Sequence, residues 1–191
     1  GDGPGALMLA AQLAWDITIA GGRRERAAEL ARFALHAGKL QRVDTGLLPI
    51  VAAVVLDLAD EDLGSFWDDA LADAHARGSM FAALAAHLWR GYHLWRAGDL
   101  REAQQSLLTS IEQSEQWGNP TIGVPYGEAF TIGVLLDRGD VRGARQFVDN
   151  VPNRPRLGDG LRLFRESVAR LLIAENRPGE ALAELDSIRQ M

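Results

Sequence analysis

Residues 87–96 read "HLWRGYHLWR", placing two histidines, two tryptophans and two arginines within ten positions. A histidine pair chelates a metal when both imidazoles leave one face of a helix, as at i and i+4. Here the spacing is six residues, about 600° of helical rotation, so His87 and His93 point roughly 240° apart and do not share an ion. The stretch "DEDLGSFWDDALAD" from Asp60 offers carboxylates instead. Asp69 and Asp73 share a helix face, with Asp68 beside them, a spacing that can hold a diphosphate through metal ions. That chemistry needs a second acidic set and bases for the phosphates, and neither stands at a matching place. Asp60, Glu61 and Asp62 sit where a helix N-terminus favours negative charge, which reads as a solvated acidic end. "LGDGLRL" (157–163) looks like a phosphate-cradling loop but lacks the preceding strand and the lysine, and Asp159 reads as a cap for the helix carrying Leu161, Leu163 and Phe164. His36, His75, His87 and His93 lie in helical stretches, the first two near helix C-termini, without a Gly-x-Ser-x-Gly elbow. No nucleophile, base and orienting partner assemble, so the expectation is a non-enzyme without metal or cofactor.

Composition bounds the remaining classes. With 47% hydrophobic and 24% charged residues, 191 residues suffice for a folded domain with a substantial core. The net charge of −6 and the absence of a basic stripe argue against direct nucleic-acid binding. No cysteine is present, which excludes disulfides and thiolate sites and fits a cytoplasmic chain. Lys39 is the one lysine among 20 basic residues, a codon-usage signature of a GC-rich genome. The longest weakly polar run, Gly46–Leu56, is about half of the roughly 20 residues needed to span a bilayer, and Pro49 interrupts it. No signal-peptide pattern opens the chain. Beginning "GDGPG" and ending at Met191, it reads as a piece of a longer protein.

The elements that must position any site come from a repeat. "GRRERAAEL", "DEDLGSFWDDAL", "GDLREAQQSLL", "GDVRGARQFV" and "NRPGEALAEL" align on Ala27, Ser65, Ala103, Ala144 and Ala181, spaced 38, 38, 41 and 37 residues apart. A near-constant period of this length marks stacked helical hairpins. Gly98 and Gly139 suit the left-handed residue that ends a helix, Asp99 and Asp140 the following N-caps, and Pro178 a first helical turn. Apolar helical stretches precede the five phrases: Ala6–Ala20, Gly46–Leu58, Met80–Ala97, Gly127–Arg138 and Leu161–Ala174. Amphipathic ones follow, such as Leu100–Trp117. "PIVAAVVL" alone could be a strand, but its place in the repeat makes it helix. The expectation is one all-α domain over 1–191, with about ten helices in antiparallel hairpins. Its looser joints fall at 36–46, 117–127 and 151–160.

These phrases resemble the tetratricopeptide repeat, whose small residue, large residue, Gly-Asp pair, alanine and large apolar residue appear here as Gly91, Leu94, Gly98-Asp99, Ala103 and Leu107. The fourth repeat supplies Leu135, Gly139-Asp140, Ala144 and Val148, while Ser65 and Asn176 depart from the pattern in the second and fifth. The wording from His93 to Pro120, from Gly133 to Pro152 and from Leu161 to Leu185 is similar to the helical-repeat region of large LuxR-family bacterial regulators of the MalT-like, ATP-dependent type. That resemblance implies a right-handed solenoid acting as a sensor and interaction segment, between an ATPase domain and a helix-turn-helix domain. A stand-alone repeat scaffold for protein partners is the alternative.

In the repeat frame His87 and Leu94 face the partner helix, Gly91 admits its close approach, and Leu88, Tyr92 and Trp95 turn toward the inner, concave surface. Carrying the frame along the chain gives Tyr92, Trp95 and Arg96, then Tyr126 and Asp137, then Glu166 and Arg170. Aromatic faces beside charged hydrogen-bonders suit a small polar effector or a peptide or protein partner. The competing reading is that the rings pack between hairpins and the charges pair in solvent. Leu9 and Leu13 at one end, and Leu185 and Ile188 at the other, are expected to lack covering neighbours, which would allow homo-oligomers through the ends.

Overall fold

The computed structural model describes residues 3–43, 47–118 and 123–189. Among them the chain is all-α, with eleven α-helices, one 3-10 turn (His36–Gly38) and no strand. They are α1 (Pro4–Ile19), α2 (Arg24–Leu35), α3 (Lys39–Val43), α4 (Leu48–Leu58), α5 (Phe66–Ala76), α6 (Met80–Ala97), α7 (Leu100–Gln116), α8 (Val124–Asp137), α9 (Val141–Asn150), α10 (Gly158–Ala174) and α11 (Pro178–Arg189). The helix beyond the expected ten is α3, five residues within the 36–46 joint. "PIVAAVVL" is helical, as the repeat requires. Gly46, 44–46 of the first joint and 119–122 of the second lie outside the described residues. No described helix is long and apolar enough to cross a membrane.

The same turn closes the first helix at each of the five repeat corners. Gly21, Asp60, Gly98, Gly139 and Asn176 have φ of 65°, 57°, 90°, 75° and 58°. The next N–H in each case reaches back five residues: Gly22 to Ile17, Glu61 to Leu56, Asp99 to Leu94, Asp140 to Leu135 and Arg177 to Leu172, at 2.8–3.0 Å. This is the left-handed helix end that satisfies otherwise orphaned carbonyls. The aligned phrases locate four of these residues, and the first repeat turns one residue earlier, on Gly21. Asp140 accepts from the Gly143 N–H at 2.9 Å and caps α9. Asp99 occupies the N-cap position of α7 without a side-chain capping bond. Pro178 starts α11. Asp159 is not a cap: Leu157 precedes α10, and Asp159 lies inside its first turn, 3.7 Å from Arg162.

Of the anchors, Ala27, Ala103, Ala144 and Ala181 are all at most 3% exposed. Ser65 is exposed instead, its hydroxyl donating to Asp69 at 2.7 Å. The second turn is longer, with Asp62 accepting from the Gly64 N–H, so α5 starts late and Trp67 takes the buried place.

The chain divides into two compact units, residues 1–89 and 90–191. In the first, Leu7, Ala10, Ala11 and Ala14 of α1 pack on Ala27, Ala28, Ala31 and Ala34 of α2 and on Ala52, Val55 and Leu56 of α4. Small residues on facing helices let the axes come close. Ile50, Ala53 and Val54 of α4 pack with Trp67 and with Leu84–Ala86 of α6. Leu9 and Leu13 stand 59% and 42% exposed.

In the second unit Ile132 and Leu135 of α8, Ala144 of α9 and Leu171 of α10 form one cluster. Ala169, Leu172 and Ala181 join α10 to α11. Leu185 is exposed and Leu182 more so, whereas Ile188 is half-buried. A Cβ added at Gly91 would meet Leu107 Cγ at 2.7 Å and the Ala103 carbonyl at 3.2 Å, so α6 and α7 approach through the glycine, as the repeat frame expects. Gly91→Ala should therefore cost about 1–3 kcal/mol by overpacking. In a Leu107→Ala background that cost should shrink, whereas a Gly98→Ala penalty, set by backbone conformation with open space around it, should not. Urea denaturation of the two double-mutant cycles, which share wild type and Leu107→Ala, measures both.

The corner between α10 and α11 is held by charge. Arg145 of α9 donates to both Glu175 oxygens at 2.7 and 2.6 Å, and Arg177 donates to it at 3.0 Å. The Arg145 bonds, outweighing desolvation and helped by Arg177, hold the Glu175 carboxyl below its ordinary range. The native state then binds fewer protons in acid than the unfolded chain. Its stabilising contribution is present above the unfolded carboxyl pKa and is lost as pH falls through the folded value. Glu175→Gln should lower stability by roughly 1 kcal/mol at neutral pH. The gap from wild type should narrow as pH falls toward the folded pKa, as read from urea midpoints from neutral pH downward.

Candidate functional site

The C-terminal part of α6 emerges beside α8 because Gly133 of α8 has no side chain: a Cβ there would overlap the Trp95 ring. The indole lies on that gap, and its Nε1 donates to Asp137 Oδ2 at 2.7 Å. Arg170 of α10 donates to the other oxygen, Oδ1, at 3.0 Å. One carboxylate thus ties three helices. Asp137 is the last residue of α8, where the helix dipole disfavours negative charge, and the two donors offset that placement. Asp137 and Arg170 side chains are 43% and 48% exposed, so the ion pair itself contributes no more than about 1 kcal/mol.

The aromatic residues meet around Phe130. Its ring centroid is 4.8 Å from Tyr92, 5.9 Å from Trp95 and 6.3 Å from Tyr126, and Tyr92 and Trp95 meet edge-to-face at 6.1 Å. Such pairs contribute about 0.5–1.5 kcal/mol each beyond area burial. Gly160 of α10 seats closely over Pro125 and Tyr126, where an added Cβ would lie 2.9 Å from Pro125 Cβ. Burial, followed by the charge of Asp159 and against that of Arg162, raises the Tyr126 phenol above its ordinary pKa. Arg162 is shared with Glu166, 3.4 Å away and one turn on. Arg96 is exposed on α6 beside Trp95.

Of the seven residues expected here, Tyr92, Trp95, Tyr126, Asp137 and Arg170 are joined, Tyr92 and Tyr126 through Phe130. Glu166 shares the α10 face with Arg170 and is engaged by Arg162, and Arg96 flanks the group. Phe130 and Gly133 escaped the sequence reading. Placing the helix start at Gly127 left Tyr126 in a joint, although Pro125 can occupy a first helical turn. Starting α8 at Val124 brings Tyr126, Phe130, Gly133 and Asp137 onto one stripe.

The two halves of "HLWRGYHLWR" face different neighbours. His87 lies 6.4 Å from His75 of α5, and Trp89 meets Trp15 edge-to-face at 6.2 Å. Asp69 and Asp73 are engaged by Ser65 and by Arg77 at 2.6 Å. Among the described residues no three His, Asp or Glu gather as a metal-holding group. The stripe offers ring faces, an indole N–H already given to a carboxylate, and a guanidinium at the solvent edge. That is recognition chemistry for a polar ligand with flat or apolar faces.

No protein-family model, no curated protein and no solved structure matches the chain. With two tyrosines in the sequence, a Tyr92→Phe chain leaves Tyr126 as the sole phenol. Its ultraviolet titration should fall above the ordinary tyrosine pKa, move down in Asp159→Asn and move further up in Arg162→Gln.

Proposed function

We propose that this chain is the sensing and docking module of a LuxR-family regulator of the MalT-like, ATP-dependent type. It takes a small polar effector, or a protein or peptide partner, on the face shared by α6, α8 and α10. The observation that carries the reading is the grouping of Tyr92, Trp95, Phe130 and Tyr126 with Asp137 and Arg170, from helices far apart in sequence. The first helices of successive hairpins, stacked as a right-handed solenoid, would turn this face inward as a groove. An effector bridging them acts by binding one arrangement of the hairpins better than another, and flanking domains read the shift. On this reading the module works in the cytoplasm.

A second reading, a stand-alone scaffold for protein partners, is favoured by the Trp95–Asp137 bond. That bond commits the indole N–H and one carboxylate oxygen of the face to holding helices together. Both readings keep the same surface and part on the surrounding gene. A nucleotide-binding P-loop encoded upstream and a helix-turn-helix downstream support the regulator, and their absence supports the scaffold.

The surface itself is tested by calorimetric titration of the 191-residue chain with a panel of oligosaccharides and short peptides. For whichever binds, Trp95→Ala with Tyr126→Ala should weaken affinity by about tenfold or more. An unchanged affinity in the folded double variant removes the site from these residues.

A further inference from the structure

The connection between α9 and α10, "VPNRPRL" (151–157), carries no regular structure. Pro152 and Pro155 remove two backbone donors, and Leu157 stands 73% exposed. Two arginines do the holding. Arg156 Nε donates to Glu128 Oε2 of α8 at 2.8 Å, and its guanidinium carbon sits 4.0 Å over the Phe164 ring of α10. Its remaining nitrogens turn back to the carbonyls of Arg154 and Pro152 at 3.4 and 3.5 Å. Arg154 reaches Glu115 of α7 at 2.5 Å, with its Nε 3.7 Å from Glu128 Oε1.

The Glu128 side chain is 1% exposed and both arginines 11%. A carboxylate that deep is tolerated only while it stays paired. The pairing is also incomplete. At 3.7 Å the second contact is too long for a hydrogen bond, and Glu128 Oε1 and Arg154 Nε have no hydrogen-bond partner among the described residues. Two short arginine–carboxylate bonds, only one of them to the buried Glu128, one stacked cation and one long ion pair therefore decide whether a prolyl-stiffened segment stays down.

We propose that residues 151–157 form a two-state strap, closed over α8 and α10 by the buried Glu128 carboxylate and opened when that charge or its arginines are drawn away. Closed, the strap hides Arg156 and fills the slot formed by Glu115, Glu128 and Phe164. Open, it offers that acidic and aromatic slot to another guanidinium and presents its own Arg156–Leu157 bond to solvent.

The bond supplies the test. Trypsin cuts after arginine but not before proline, so Arg154–Pro155 is resistant and Arg156–Leu157 is the strap's one susceptible site. Limited trypsinolysis of the 191-residue chain, with fragments identified by mass, compares this bond with Arg138–Gly139 at the α8–α9 corner. Wild type should be slow at Arg156–Leu157. Glu128→Gln should be cut there about tenfold faster or more with Arg138–Gly139 unchanged, because cleavage tracks the population of the open form. Arg156→Lys keeps the cleavage site while removing the Nε bond and weakening the stacking. It should shift the same way, and it serves if Glu128→Gln does not fold. The strap is overturned by a wild-type bond cut as fast as in denatured chain, by a folded variant as resistant as wild type, or by equal acceleration at both bonds.

Discussion

A helix can double back on the next one within a few residues only if its last carbonyls find donors inside the turn. That constraint governs this chain. A left-handed residue followed by an N–H reaching back five positions occurs at each of the five repeat turns. Where the turn is shortest, after Gly98, Gly139 and Asn176, the second helix starts two residues later and its fourth residue is an alanine buried against the first helix. Closeness then propagates: Ala103 and Leu107 fit against Gly91, which sets α7 against α6. The site residues are held at one remove by the same geometry, since Tyr92 and Trp95 follow Gly91 on the helix it positions.

The repeat was legible in the sequence because its determinants are local. A left-handed turn selects Gly, Asn or Asp for conformational reasons, and a close helix pair selects alanine, so both leave marks at fixed spacing. The second repeat shows where that reading stops. Ser65 fits the small-residue pattern, but a longer turn carrying Gly64 and Asp62 delays α5, and a large buried ring, Trp67, fills the space that an alanine would have left to a closer helix. No one-residue signal distinguishes those two packings.

The candidate site was half legible for a related reason. Trp95, Asp137 and Arg170 were expected on one face from the frame alone, and they are bonded to one another. The frame says nothing of which glycine receives a ring, so Gly133 went unnoticed, and Phe130, inside the expected helix, carried no mark that set it apart from the apolar residues around it. Glu128 was unreadable on principle. An acid in an apolar helix looks like a solvent-facing residue until its counter-charges are known, and these come from an irregular segment more than twenty positions away.

Both features hang on α8. Every residue of that helix from Val124 to Leu135 except Tyr126 is buried, so it has neighbours on all sides, as its nearly continuous apolar sequence requires. Tyr126, Phe130, Gly133 and Asp137 succeed one another at four, three and four residues and form one stripe. Glu128 lies about 200° from Phe130 around the axis, on a different side. The stripe ends in a half-exposed carboxylate shared by two donors, where exchange with a ligand costs little because water already competes. Glu128 faces no such competition, so its contacts are nearly all or none. A helix fixed on every side can keep these two kinds of contact apart, one graded and one close to binary, because neither has to move the helix in order to change.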